Sequence, residues 1–125
     1  RKPPAGLAGA PYLLENDIDV TAITEPRRVF AGNAFDAALG FPANVNVAAA
    51  LALAGIGPAR TQVEIWADPR VSRNTHTIRV EAAAARFSMT IEGVPSPDNP
   101  RTGLITSLSV LACLRGLVST LKVGT

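Results

Sequence analysis

A chain of 125 residues is the right length for a single domain, since domains commonly run to about 100–150 residues. Its 47% hydrophobic and 18% charged content excludes a disordered polar chain, and the length excludes an enzyme carrying both its own nucleotide-binding domain and a substrate domain. Twelve Lys+Arg against ten Asp+Glu leave a net charge of +2 with no basic stripe or interleaved aromatics, which argues against a nucleic-acid partner. Most of the cations are arginine, a residue suited to fixed ion pairs and carboxylate contacts. The sequence opens at Arg1 and its single methionine is Met89, as expected for a piece of a longer protein.

Residues 1–16 hold Lys2-Pro3-Pro4, Gly6, Gly9 and Pro11 and read as a linker or extended arm, with the domain proper expected over residues 17–125. Ile18, Val20, Ala22 and Ile23 suggest a first strand. Asn33 is placed to cap a short helix over 34–39, and Pro42 stands where a second can begin. That second helix, expected over 43–54, is rich in Ala and Leu and stops at Gly55-Ile56-Gly57-Pro58. The most apolar run, residues 47–56, is far shorter than the roughly 20 residues a membrane-spanning helix needs, so no membrane partner is expected.

Three period-two segments follow. Val63, Ile65 and Ala67 oppose Gln62, Glu64 and Trp66. His76, Ile78, Val80 and Ala82 oppose Thr77, Arg79 and Glu81, while Phe87, Met89 and Ile91 oppose Arg86, Ser88, Thr90 and Glu92. The last two strands, separated by a few alanines, read as an antiparallel hairpin. After the loop Pro95-Ser96-Pro97-Asp98-Asn99-Pro100, residues 101–121 place Leu104, Leu108, Leu111, Leu114, Val118 and Leu121 on one helical stripe, with Asn99 and Pro100 suited to its start. The expected fold is α+β, a mixed or antiparallel sheet with helices packed on one face.

His76 is the one histidine, so any imidazole chemistry passes through it. Its ordinary pKa of about 6.5 suits proton transfer near neutrality, though a buried strand-end histidine bonded to a backbone carbonyl is the bland alternative. Asn44 and Asn46 interrupt an alanine-rich helix, and either capping or a polar contact with a ligand accounts for them. Cys113, among Leu111, Leu114 and Leu117, reads as a small buried hydrophobe, and a single cysteine fits a reducing cytosol. One His and one Cys without a carboxylate cluster make no metal site. The run Gly55-Ile56-Gly57-Pro58-Ala59-Arg60 has an arginine at the third glycine of a dinucleotide fingerprint and follows a helix, not a strand, so it is rejected. The N–H groups at the start of the last helix, near Asn99, are a possible anion site.

Three stretches, Phe41-Pro42-Ala43-Asn44-Val45-Asn46-Val47-Ala48-Ala49-Ala50-Leu51, then Asp68-Pro69 with Arg73-Asn74-Thr75-His76, and Pro97-Asp98-Asn99-Pro100-Arg101-Thr102, resemble the C-terminal domain of L-aspartate dehydrogenases. Arg1-Lys2-Pro3-Pro4 and Val29-Phe30-Ala31-Gly32 resemble the family as well, so the likeness covers nearly the whole chain. The resemblance implies a cytoplasmic enzyme that oxidises L-aspartate to iminoaspartate with NAD or NADP, yielding oxaloacetate and ammonia on hydrolysis or feeding NAD synthesis. It implies His76 as the catalytic residue and Asn46 as a contact to the nicotinamide cofactor. Arg73, Lys2 and the N–H groups of the last helix stand unranked as partners for the substrate carboxylates. The family's N-terminal Rossmann domain is not in this sequence, so the chain alone is expected to be inactive. Ala82 to Ala85 also depart from the glycine and charge that relatives carry at the hairpin. The alternative is a non-catalytic dimerisation module of a related amino- or keto-acid oxidoreductase, a homodimer meeting its twin through the face that carries Trp66, Gln62, Glu64, Arg79 and Thr90.

Overall fold

Proline and glycine punctuate the start of the chain, and the fold uses the prolines to begin helices. In the computed structural model, which describes residues 1–97 and 103–121, Pro4 opens a 3-10 turn, Pro4–Gly6, and Pro11 opens helix α1, Pro11–Glu15. Proline suits the first helical turn because its φ is already helical and it has no N–H to leave unbonded. The segment expected as a linker or arm is therefore folded: Leu7, Ala10 and Leu13 belong to the core. Residues 17–23, expected as a strand, form turns instead. Asp17 sits at φ 52°, and the Asp19 carboxylate accepts from the Thr21 N–H at 2.8 Å and its hydroxyl at 2.6 Å. Such local side-chain bonds offer the backbone an alternative to a ladder.

The first strand is β1, Arg27–Asn33, antiparallel to β2, Gln62–Ala67. Its register slips between Arg28 and Phe30, and the bulge turns both Val29 and Phe30 inward. Phe30 then meets Tyr12 and Phe41 in a three-ring cluster with centroids 5.2–5.6 Å apart, each pair worth about 0.5–1.5 kcal/mol beyond its buried area. Helix α2, Ala34–Gly40, is capped as expected: Asn33 Oδ1 accepts from the Asp36 N–H at 2.8 Å. Its last residue must be glycine, because a Cβ at Gly40 would lie 2.8 Å from the Tyr12 Cβ. Helix α3, Asn46–Ala54, begins later than expected, after a turn in which Asn44 N–H donates to the Phe41 carbonyl at 2.9 Å. Its exit uses Gly57 at φ 87°, a conformation open to glycine.

Strands β3, Thr75–Glu81, and β4, Arg86–Glu92, form the expected hairpin, with Glu81 opposite Arg86 and Ala82 N–H donating to the Ala85 carbonyl at 2.9 Å. The α+β class holds. The strands lie in two antiparallel pairs, β1–β2 and β3–β4, where one sheet was expected. Arg1 and Lys2 link them. Lys2 bridges to Ala67 of β2, and Arg1 exchanges backbone hydrogen bonds with Thr75 of β3.

Helix α4, Leu104–Val118, carries the expected leucine stripe but buries none of it, and Cys113, expected buried, is exposed. A small thiol is shielded only if its helix face has a partner, and here that face has none among the described residues. The expected start of this helix at Asn99 and Pro100 lies outside the described residues. No described helix is long and apolar enough to cross a membrane.

Candidate active site

The seam between the two strand pairs gathers the polar groups. Thr75 N–H donates to the Arg1 carbonyl at 2.9 Å and the Arg1 amino nitrogen donates back to the Thr75 carbonyl at 2.7 Å. On the other side, Lys2 N–H donates to the Trp66 carbonyl at 3.0 Å, and Asp68 N–H to the Lys2 carbonyl at 2.9 Å. Consecutive residues of extended backbone point to opposite faces. Arg1 and Thr75, being paired, share one face, so Lys2 and His76 turn to the other, which is also the face of buried Ala67. The outer face shows the same parity: the Arg1 guanidinium stands 5.1 Å from the centre of the Trp66 ring.

Lys2 reaches inward, and its Nζ donates to Asn44 Oδ1 at 2.8 Å. Burial lowers the pKa of this ammonium below its ordinary value. Burial likewise lowers the pKa of His76, helped by the positive charge of Lys2. Both causes disfavour the imidazolium and favour the neutral base. It is half-buried, and its ring makes no hydrogen bond to another described residue, unlike the carbonyl-bonded histidine of the bland alternative.

Asp68 fixes this geometry from below. It is a buried carboxylate, 3% exposed, and accepts from the Arg1 guanidinium at 2.8 Å and from the Arg70 N–H at 2.9 Å. The bond from Arg1 holds its pKa below the usual carboxylate range. Nothing in the sequence pattern singles out Asp68 beyond its place in the Asp68-Pro69 motif, because its partner Arg1 lies 67 residues away.

Of the asparagine pair, neither side chain caps α3, whose N-cap is Val45. Asn44 is taken up by Lys2. Asn46 is the first residue of α3, exposed, with no side-chain hydrogen bond among the described residues. Lys2 and Asn44 are thus joined by a hydrogen bond, with His76 on the same face as Lys2, whereas no hydrogen bond among the described residues joins Asn46 to them. Arg73 is exposed, and the start of the last helix lies outside the described residues. Trp66, expected on a twin-facing surface, is half-buried, with the guanidinium of Arg1 and that of Arg28, 6.0 Å from the ring centre, stacked beside it. Among the described residues no three His, Cys, Asp or Glu side chains converge as a metal ion would require.

This small α+β domain thus sets a half-buried imidazole on the same face as a lysine whose ammonium holds an amide. The family described as "Aspartate dehydrogenase, C-terminal" matches residues 1–117. The chain is 61% identical over all its residues to L-aspartate dehydrogenase of Bradyrhizobium diazoefficiens and 57% identical to L-aspartate dehydrogenase 3 of Bordetella bronchiseptica, spanning 44% and 46% of those proteins. It superimposes on the crystal structure of aspartate dehydrogenase from Thermotoga maritima with a TM-score of 0.74 at 28% identity, covering 98% of this chain and 43% of that one. This chain belongs to the aspartate dehydrogenase family, matching its C-terminal domain. It spans less than half the length of the curated relatives it matches.

Proposed function

We propose that this chain is the catalytic and dimerisation domain of an NAD(P)-dependent L-aspartate dehydrogenase of the cytoplasm, working with an N-terminal Rossmann domain and inactive alone. The observation that carries the reading is His76: a half-buried imidazole held neutral by its surroundings and set beside an ammonium in a domain of this family. NAD or NADP, when bound, accepts the hydride from the α-carbon of the substrate. Asn46 suits a contact to that cofactor, because its exposed amide offers both donor and acceptor and is not used as a cap.

The α-carbon of an amino acid yields hydride readily only after its ammonium has lost a proton. Neutral His76 accepts that proton, and the positive charge of Lys2 favours passing it on to solvent. The same imidazole then activates water for attack on iminoaspartate, giving oxaloacetate and ammonia; iminoaspartate that escapes hydrolysis supplies NAD synthesis. In the full-length protein, His76→Ala is expected to lower turnover of L-aspartate by about two to four decades. Wild-type turnover in that variant would remove His76 from the role.

A homodimer is supported by a separate observation. The hairpin leaves Phe87 54% and Met89 45% exposed, and the leucines of α4 are exposed beside solvent. Apolar surface on this scale suits association with a second copy through the hairpin and α4, in place of the Trp66 face.

A further inference from the structure

We propose that the Lys2 ammonium holds a carboxylate of the substrate beside His76 and that Asn44 aims it, an inference that rests on the dehydrogenase reading above. Geometry places it there. The Lys2 backbone is pinned by β2 on one side, and its neighbour Arg1 is pinned by β3 on the other, so the direction of its side chain is fixed. That direction is the His76 face, and residues so related on adjacent strands lie within reach of a shared small ligand.

Its bonding leaves room for an anion. Asp68, whose N–H donates to the Lys2 carbonyl, has its carboxylate taken by Arg1 and the Arg70 N–H, and among the described residues the other ion pairs join Arg28 to Glu64 and Arg70 to Glu25. Among the described residues, the partner of the Lys2 Nζ is the neutral oxygen of Asn44, at 2.8 Å. An ammonium has three N–H donors, and one is used here. A half-buried cation without an anion is costly, as the lowered pKa of Lys2 records, and an arriving carboxylate relieves that cost. One rival is weaker. Arg73 is exposed and has no such fixed direction.

The preferred substrate class follows: an amino acid carrying carboxylate for Lys2 to bind, of which L-aspartate has two. The test uses the full-length protein and succinate, a four-carbon dicarboxylate with no amine to oxidise. Calorimetric titration of Lys2→Met is expected to show succinate binding weakened about ten- to a hundredfold, with KM for L-aspartate raised to match and changed more than kcat. Lys2→Arg is expected to recover part of the loss, and Asn44→Ala to lose less than Lys2→Met. Because the backbone bonds of Lys2 do not involve its side chain, circular dichroism of Lys2→Met should match wild type; if it does not, Lys2→Arg and Asn44→Ala decide the matter. Unchanged succinate affinity and KM in variants that still oxidise L-aspartate overturn the assignment of Lys2 and leave the enzyme reading standing. A wild-type protein that neither oxidises L-aspartate nor binds succinate overturns both.

Discussion

Residues 1–68 close a core around Tyr12, Phe30 and Phe41, with Leu7, Leu13, Val20, Val29 and Ile65 packed about them, whereas the β3–β4 hairpin and α4 fully bury none of their described apolar residues. Both regions have regular secondary structure and both have the periodic sequence that goes with it. They differ in tertiary partners: α1, α2 and the β1 bulge bring side chains onto β2, and nothing among the described residues does the same for the hairpin. Regular pattern therefore predicts an element, while burial depends on what the topology sets against it.

The contrast can be broken most directly at Phe41, which is fully buried. Phe41→Ala is expected to cost about 3–5 kcal/mol in urea unfolding, because both the apolar transfer and the cavity count against it. On the hairpin, Phe87→Ser and Met89→Asp are expected to change the stability of a monomer by less than about 0.5 kcal/mol and yet to abolish association in sedimentation. A hairpin variant that unfolds the chain as severely as Phe41→Ala would erase the distinction. The smallest expected effect falls at the seam. With the pKa of His76 lowered, the acid limb of kcat/KM should lie below about pH 6.5, rising as the imidazolium loses its proton. Lys2→Met removes one cause of the lowering, so the limb should move upward in the pH profile, while burial keeps it from returning fully.

Much of this was legible in the sequence where the signal is local. The alternation of residues 62–67 survives in the burial of Ile65 and Ala67. Asn33 caps α2, and the alanine turn closes the hairpin, because each feature depends on neighbours a few residues away. The misreadings have physical causes too. Ile18 and Val20 mimic strand alternation, but Asp19 and Thr21 between and beside them bond each other and turn the chain. Pro4 and Pro11, read as marks of an extended arm, are equally suited to a first helical turn, and only the burial of Leu7 and Leu13 decides between the two. The paired charges Arg27-Arg28 hide β1, since they fall on its exposed edge before the bulge. In the site, His76 stands out by being the one imidazole, whereas its neighbours do not. Lys2 meets Asn44 across 42 positions and Arg1 meets Thr75 across 74, distances over which no periodicity carries information.

Those same separations bear on the order in which the molecule assembles. Helices and hairpins form from near neighbours, but a contact between the first residues and the seventy-fifth closes a very large loop, and its entropic cost falls only after the intervening elements have shortened the path. The rung made by Arg1 and Lys2 is thus expected to close late in folding. Until it closes, the imidazole stands without the lysine.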